Sequence, residues 1–131
     1  MDTLLAIHSF MRWIIMAVAA VTIIKFAVSW AANSLFKALD RGLASAFSGL
    51  MDLQVLLGLI YLIWNGLTIT GFPTVRILHA VTMIIAAAVA HLPSRFRTLN
   101  DKLRFQYSLI ALIGSLILVF IGISILPHGW G

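Results

Sequence analysis

The feature that most constrains the fold is a set of four long apolar stretches, none of which alternates as the strands of a membrane β-barrel do. An α-helix needs roughly 20 mostly apolar residues to cross a bilayer core. The four stretches cover residues 4–30, 43–64, 75–92 and 105–126, with polar residues, glycine and proline between them. The sequence therefore predicts one all-α membrane domain over residues 1–131, a bundle of four transmembrane helices.

The composition excludes several other classes of protein. Of the 131 residues 62% are hydrophobic and only 10% are charged, whereas a soluble domain is about half apolar and a quarter charged. There is no cysteine, which excludes a disulfide scaffold, thiol chemistry, covalent c-type haem and iron–sulfur ligation by this chain. A net charge of +5 does not indicate a nucleic-acid partner, because membrane topology accounts for the basic residues.

The basic residues predict the direction of the spans. Most of them lie in the first and third loops or at the adjoining span ends, namely Lys25, Lys37, Arg41, Arg95, Arg97, Lys102 and Arg104. Short loops rich in lysine and arginine face the cytoplasm, so both termini are predicted to face outward. The basic residues of these loops are explained either by membrane topology alone or by binding of anionic lipid headgroups.

Two histidines are predicted to lie at one depth in the membrane. His8 is about four residues into the first span and His79 about four residues into the third, both counted from the outer side. Ionisable residues inside a bilayer are costly and often functional. Neutral imidazoles on facing helices could supply both axial ligands of one haem b. The alternative is that each histidine bonds water, a headgroup or a backbone carbonyl at the interface.

Each of these histidines has an arginine on its own helix face. Arg12 follows His8 by four residues and Arg76 precedes His79 by three, and both spacings bring side chains to one face. Guanidinium groups pair well with carboxylates, such as haem propionates. Arg76 lies nearer the surface than its histidine, whereas Arg12 lies one turn deeper and must extend outward or bond another group.

The second span carries a stripe of small and polar residues. Gln54, Gly58, Tyr61 and Asn65 share one helix face. Gly58 would allow a flat ring to approach closely, and Tyr61 is expected at the depth of the proposed haem. The alternative is a helix-packing stripe, since small and polar residues mark helix contacts in lipid.

The remaining polar candidates are less specific. His91 lies twelve residues after His79, which corresponds to ~18 Å along the helix and a rotation of about 120°. It is therefore a weaker candidate ligand, an interfacial residue or part of a quinone or proton pathway. Asp52 is expected to act in proton transfer or quinone binding, or to pair with Lys25. His128 is expected to be solvated.

The segments LLAIHSFMRW at residues 4–13, DLQVLLG at residues 52–58 and His79 to His91 resemble a family of small bacterial four-span membrane proteins labelled cytochrome b or cytochrome b-like. The resemblance covers most of the chain. It implies a b-type haem within the bundle, electron transfer in the bacterial inner membrane, and His8, His79 and His91 as positions of interest. Larger cytochrome b proteins place two histidines on one face of a helix, and His79 and His91 depart from that pattern.

Other functions stay open at this point. The chain could be an accessory subunit of a respiratory or photosynthetic complex, in which a histidine binds a chlorophyll magnesium or no pigment. It could also be similar to the four-span bacterial protoporphyrinogen oxidase, although the basic signature expected in the second span is not evident. The sequence favours an electron-transfer or accessory subunit over a stand-alone enzyme. The expected partners are the lipid bilayer and other membrane subunits or a redox partner.

Overall fold

The computed structural model describes residues 2–127 and residue 129, and in that part of the chain it contains helices and no strand. The four long helices are α1 (Asp2–Ala31), α2 (Ala38–Asn65), α3 (Thr74–Ala90) and α4 (Asp101–Ile125). A π-helical turn (Gly66–Thr70) continues α2, and a 3-10 turn (Leu92–Arg95) follows α3. Four helices are long and apolar enough to cross a membrane. The prediction of an all-α, multi-pass membrane bundle is confirmed.

The helix bounds differ from the predicted spans where polar residues join a helix. Helix α2 begins at Ala38 rather than at residue 43, and Asp40 lies in its first turn. Helix α4 begins at Asp101, and the side chain of Asn100 caps it by accepting the backbone N–H of Leu103 at 2.9 Å. Backbone hydrogen bonding continues beyond the apolar stretch, so a count of apolar residues underestimates these helices.

The helices form a closed ring in the order of the chain. Each packs against its two sequence neighbours, and α4 also packs against α1. Among the described residues the backbones of α1 and α3 do not approach each other, nor do those of α2 and α4, so these are the two diagonal pairs. Short connections make neighbours antiparallel. The loops at 32–37 and 91–100 therefore lie at one end, called here the basic end, and Asp2 and residues 66–73 lie at the opposite, terminal end.

The basic end is tightly packed around aromatic rings. The ring of Phe26 lies 5.4 Å from that of Phe105 and 5.6 Å from that of Phe36. Phe26 and Phe105 are fully buried, and the guanidinium of Arg104 stacks 3.7 Å from the centre of the Phe36 ring. Burying such rings stabilises the bundle through area and edge-to-face contact.

A buried ion pair joins α1 to the start of α2. The ammonium of Lys25 lies 2.8 Å from Oδ1 of Asp40, and the Asp40 side chain is fully buried. Oδ2 of Asp40 accepts the backbone N–H of Lys37 at 2.9 Å. The predicted pairing of Lys25 with Asp52 is wrong. Asp40 lies closer to the end of α1 that carries Lys25, whereas Asp52 lies three turns further along α2.

Small residues of the third and fourth spans lie between α3 and α4. Ala86, Ala87 and Ala90 of α3 are buried, and Ser115 of α4 donates to the carbonyl of Ala86 at 2.8 Å. This contact closes the middle of the bundle. Toward the terminal end the helices leave a large cavity between them.

Candidate functional site

A cavity of about 730 Å³ lies among all four helices in the terminal half of the bundle. That volume is in the range of small-molecule and cofactor sites. Its walls contain every residue that the sequence analysis placed at the haem site, namely His8, Arg12, Gly58, Tyr61, Arg76 and His79. The rest of the lining is mainly aliphatic. The two histidines come from the diagonal helices α1 and α3, so they reach the cavity from opposite sides of the ring.

His79 is held by one ring nitrogen. Its Nδ1 lies 2.7 Å from the carbonyl oxygen of Gly122 in α4. A carbonyl only accepts, so Nδ1 carries the proton and donates it, and Nε2 is left as the basic nitrogen. A hydrogen bond of this kind orients many metal-bound histidines in proteins. The sequence left open that a histidine bonds a backbone carbonyl, and Nδ1 of His79 does so. Its Nε2 stays available to bind a metal.

His8 lacks such an anchor. Its Nδ1 is buried and has no hydrogen-bond partner of acceptable geometry among the described residues, although the Gln54 side chain lies beside the ring. A buried polar atom without a partner costs free energy. Gln54 instead donates its amide to the backbone carbonyl of His8 at 2.5 Å, which ties α1 to α2 at the level of the cavity.

Gly58 provides the space for the His8 ring. A Cβ at Gly58 would lie 3.0 Å from Cε1 of His8 and 3.5 Å from Nε2. The flat ring that approaches Gly58 closely is therefore the imidazole of His8. Gln54, Gly58 and Tyr61 all line the cavity, so the stripe on α2 serves both helix packing and the cavity wall.

Arg76 is fixed at the rim of the cavity by the end of α2. Its Nη1 donates to Oδ1 of Asn65 at 2.6 Å and to the Thr70 hydroxyl at 3.2 Å. The guanidinium also lies 5.9 Å from the centre of the Tyr61 ring. These hydrogen bonds use one of its three nitrogens, so the remaining donors can meet an anionic group in the cavity. Asn65 is 7% exposed and acts as the positioning residue.

Arg12 turns toward the terminal end, as its depth required. Its Nη1 donates to the backbone carbonyl of Gly129, and its guanidinium lies 5.1 Å from the centre of the Trp13 ring. Leu126, Pro127 and Gly129, which follow α4, also line the cavity. Both arginines are therefore at the wall near the same end, and each already has a structural contact.

Several cavity residues were not predicted. Ser9, Met51 and Met83 line the cavity, and the carbonyl of Gly122 anchors His79. Ser9 adjoins His8 in sequence, which was a usable signal. The methionines are indistinguishable in sequence from core residues. A backbone acceptor on another helix leaves no mark in sequence.

His91 and Asp52 lie outside this cavity and pair with each other near the basic end. Nε2 of His91 lies 2.8 and 2.9 Å from the Asp52 carboxylate oxygens, and both side chains are about half exposed. The predicted structural partner of Asp52, Lys25, is bound to Asp40 instead. His128 lies outside the described residues.

The chemistry of the cavity fits a flat amphipathic macrocycle. Its apolar walls suit the ring, two imidazoles enter from diagonal helices, and two guanidinium groups lie at one end. Among residues 2–127 and 129 no group of three or more histidine, cysteine, aspartate or glutamate side chains converges on a metal position. Bis-imidazole ligation of a haem iron needs only two such groups, because the porphyrin supplies the other four ligands.

Comparison with known proteins adds no further constraint. No protein-family model, curated protein or solved structure matches this chain. The resemblance to cytochrome b-like proteins therefore stays a prediction, and function has to be argued from the cavity itself.

Proposed function

We propose that this protein binds one haem b in the cavity, with His8 and His79 as axial ligands, and transfers electrons in a membrane. The observation that carries the proposal is that two imidazoles from diagonal helices line one mainly apolar cavity. A bound haem would supply one-electron chemistry at its iron. The chain supplies ligation, orientation and the exclusion of water.

The two imidazoles would contribute differently. The bond from His79 Nδ1 to Gly122 selects the tautomer with a basic Nε2 and strengthens it as a ligand. His8 is aligned instead by packing against Gly58 and by the Gln54 bond to its backbone. Iron binding at Nδ1 of His8 would give this buried, unpaired nitrogen a partner. That gain supports His8 as the second ligand.

The two arginines would hold the propionates. Carboxylates inside a membrane protein need charge-assisted partners. Arg76 is held in place by Asn65 and Thr70 before any ligand binds, so little side-chain entropy is lost when an anion arrives. Arg12 and Arg76 would then hold the propionates near the terminal end, and the aliphatic lining would enclose the ring.

The proposal includes the direction of the chain in the membrane. The basic loops share one end of the bundle, and positive loops face the cytoplasm. The cavity would then open toward the outer side of a bacterial inner membrane. Electron partners there would be a quinone within the bilayer or another membrane subunit.

The test is an absorption spectrum of the chain purified from cells that make haem. We expect a Soret band and a pyridine haemochrome of the b type. His8→Ala and His79→Ala should each lose the low-spin spectrum, while His91→Ala, whose side chain lies outside the cavity, should keep it. The absence of a Soret band from the wild-type protein would falsify haem binding. Full retention in both cavity variants would overturn the ligand assignment alone.

The same purification separates the alternative functions. A chlorophyll-binding subunit would show chlorophyll bands instead of a haemochrome, and an accessory subunit without pigment would show neither and would migrate with a large complex in native electrophoresis. An enzyme similar to protoporphyrinogen oxidase would oxidise porphyrinogen in a membrane assay. Each of these results would replace the electron-transfer proposal.

A further inference from the structure

A second, smaller cavity of about 140 Å³ lies at the basic end, at the opposite end of the bundle from the candidate haem site. It is called here the basic cavity. It is bounded by α2, the turn after α3 and the start of α4. Its polar lining comes from Arg41, Ser45, Ser48, His91, Ser94, Arg97 and Arg104. Ser48 and Ser94 donate their hydroxyls to the backbone carbonyls of Ser45 and His91, so the donors left for a ligand are the three arginines and the Ser45 hydroxyl. This set suits a tetrahedral oxyanion, and the cavity is too small for a macrocycle.

The arginines of the basic cavity are not neutralised by the protein. Among the described residues no hydrogen bond or ion pair engages the guanidinium of Arg41 or Arg97. Their positive charges act on the guanidinium of Arg104. Like charges gathered at one cavity repel each other, and an anion between them would remove that cost.

The nearby carboxylates have other partners. Asp40 is bound to Lys25, and Asp52, which does not line the basic cavity, is bound to His91. Asp101 and, more weakly, Asp40 act on Arg104, but neither is part of the lining. The local charge balance therefore stays positive within the basic cavity.

Arg104 packs against an aromatic ring. Its guanidinium lies 3.7 Å from the centre of the Phe36 ring, and its Nε is buried with no hydrogen-bond partner among the described residues. The hydroxyl of Ser45 likewise makes no hydrogen bond to a described residue. A guanidinium packed on an aromatic ring, an unused hydroxyl and two further cations are groups that can bind phosphate.

We propose that the basic cavity binds one phosphate group, carried by the headgroup of an anionic phospholipid or present as soluble phosphate. The two sources share the same recognition chemistry, since Arg41, Arg97 and Arg104 would meet phosphate oxygens in either case. The cavity lies at the end of the membrane-spanning helices, which is the level of lipid headgroups. This inference does not depend on haem binding.

The test measures binding to the purified chain in neutral detergent, by thermal unfolding and by native mass spectrometry. The probes are dioctanoylphosphatidylglycerol, dioctanoylphosphatidylcholine and inorganic phosphate. We expect the anionic lipid to bind in a ratio of one and raise the unfolding temperature, and the zwitterionic lipid to do neither. Saturable binding of inorganic phosphate with no gain from the lipid would identify soluble phosphate as the ligand.

Two substitutions and a matched control test the location. Arg41→Gln and Arg97→Gln should each weaken binding by about tenfold, the usual effect of losing one charge-assisted hydrogen bond. Arg95→Gln removes an exposed positive charge two residues from Arg97 that does not line the basic cavity, so it should change affinity little. The proposal is overturned if neither anion binds, or if Arg95→Gln weakens binding as much as Arg97→Gln.

Discussion

Nδ1 of His79 lies 2.7 Å from the carbonyl oxygen of Gly122, and this bond joins α3 to α4 at the wall of the large cavity. His8, on the diagonal helix, has no equivalent bond. Two histidines that look alike in sequence therefore differ in how much they contribute to the stability of the protein without a ligand.

This difference predicts that two substitutions which both abolish haem ligation will differ in their effect on stability. In the cofactor-free protein, His79→Ala should lower the free energy of unfolding by about 1 kcal/mol because one hydrogen bond is lost. His8→Ala should have a smaller effect, because removing the unpaired Nδ1 offsets part of the lost packing. Unfolding by sodium dodecyl sulfate in mixed micelles measures both variants. Equal destabilisation by the two would contradict the prediction.

Gly58 and Gly49 form a matched pair of glycines on α2. A Cβ at Gly58 would lie 3.0 Å from the His8 ring, whereas a Cβ at Gly49 meets no atom within 4 Å. Gly49→Ala should therefore stabilise the protein by up to about 1 kcal/mol through helix propensity. Gly58→Ala should push the His8 ring aside and weaken haem retention. The two variants are compared by their unfolding curves and by their haem content after gel filtration. Equal haem content in both would count against the assigned role of Gly58.

Asn65 is predicted to act on the site through Arg76. Asn65→Ala removes the 2.6 Å bond to Arg76 and the 2.7 Å bond from Thr70. We expect about 1–2 kcal/mol of lost stability and weaker haem retention, although Asn65 does not line the cavity. Arg76→Lys keeps the charge but not the forked geometry, and it should weaken retention less than Arg76→Gln. Haem transfer to apomyoglobin measures retention, and an unchanged transfer rate in Asn65→Ala would exclude a positioning role.

The Lys25–Asp40 ion pair and the His91–Asp52 contact should differ in strength. Asp40→Ala removes the carboxylate that accepts from the Lys37 amide and from Lys25, which keeps its hydrogen bond to Ser29. Because Asp40 is fully buried, we expect a loss of about 2–3 kcal/mol. Asp52→Ala breaks a pair that is half exposed on both sides, so it should cost less than about 1 kcal/mol. Chemical unfolding of the two variants side by side measures both losses of stability. A larger loss in Asp52→Ala than in Asp40→Ala would contradict the prediction.

The hydrogen-bond and ion-pair partners of the polar residues were only partly predictable from the sequence. Lys25 was expected near the middle of α2, but Asp40 lies closer to the end of α1 that carries it. Arg12 was expected to extend outward or to bond another group, and it donates to the backbone carbonyl of Gly129. Depth follows from counting residues along a helix, whereas the partner depends on how each helix is rotated about its axis.

The sequence by itself determined that four apolar helices form this protein, that the basic loops share one end, and that His8 and His79 lie near the other. These properties follow from hydropathy and from a fixed rise per residue, which are local. Only the tertiary structure decided that α1 and α3 are diagonal, that a cavity lies between them, and that His79 is tethered to Gly122. Those depend on packing between helices, where a backbone carbonyl or a void has no residue type to mark it.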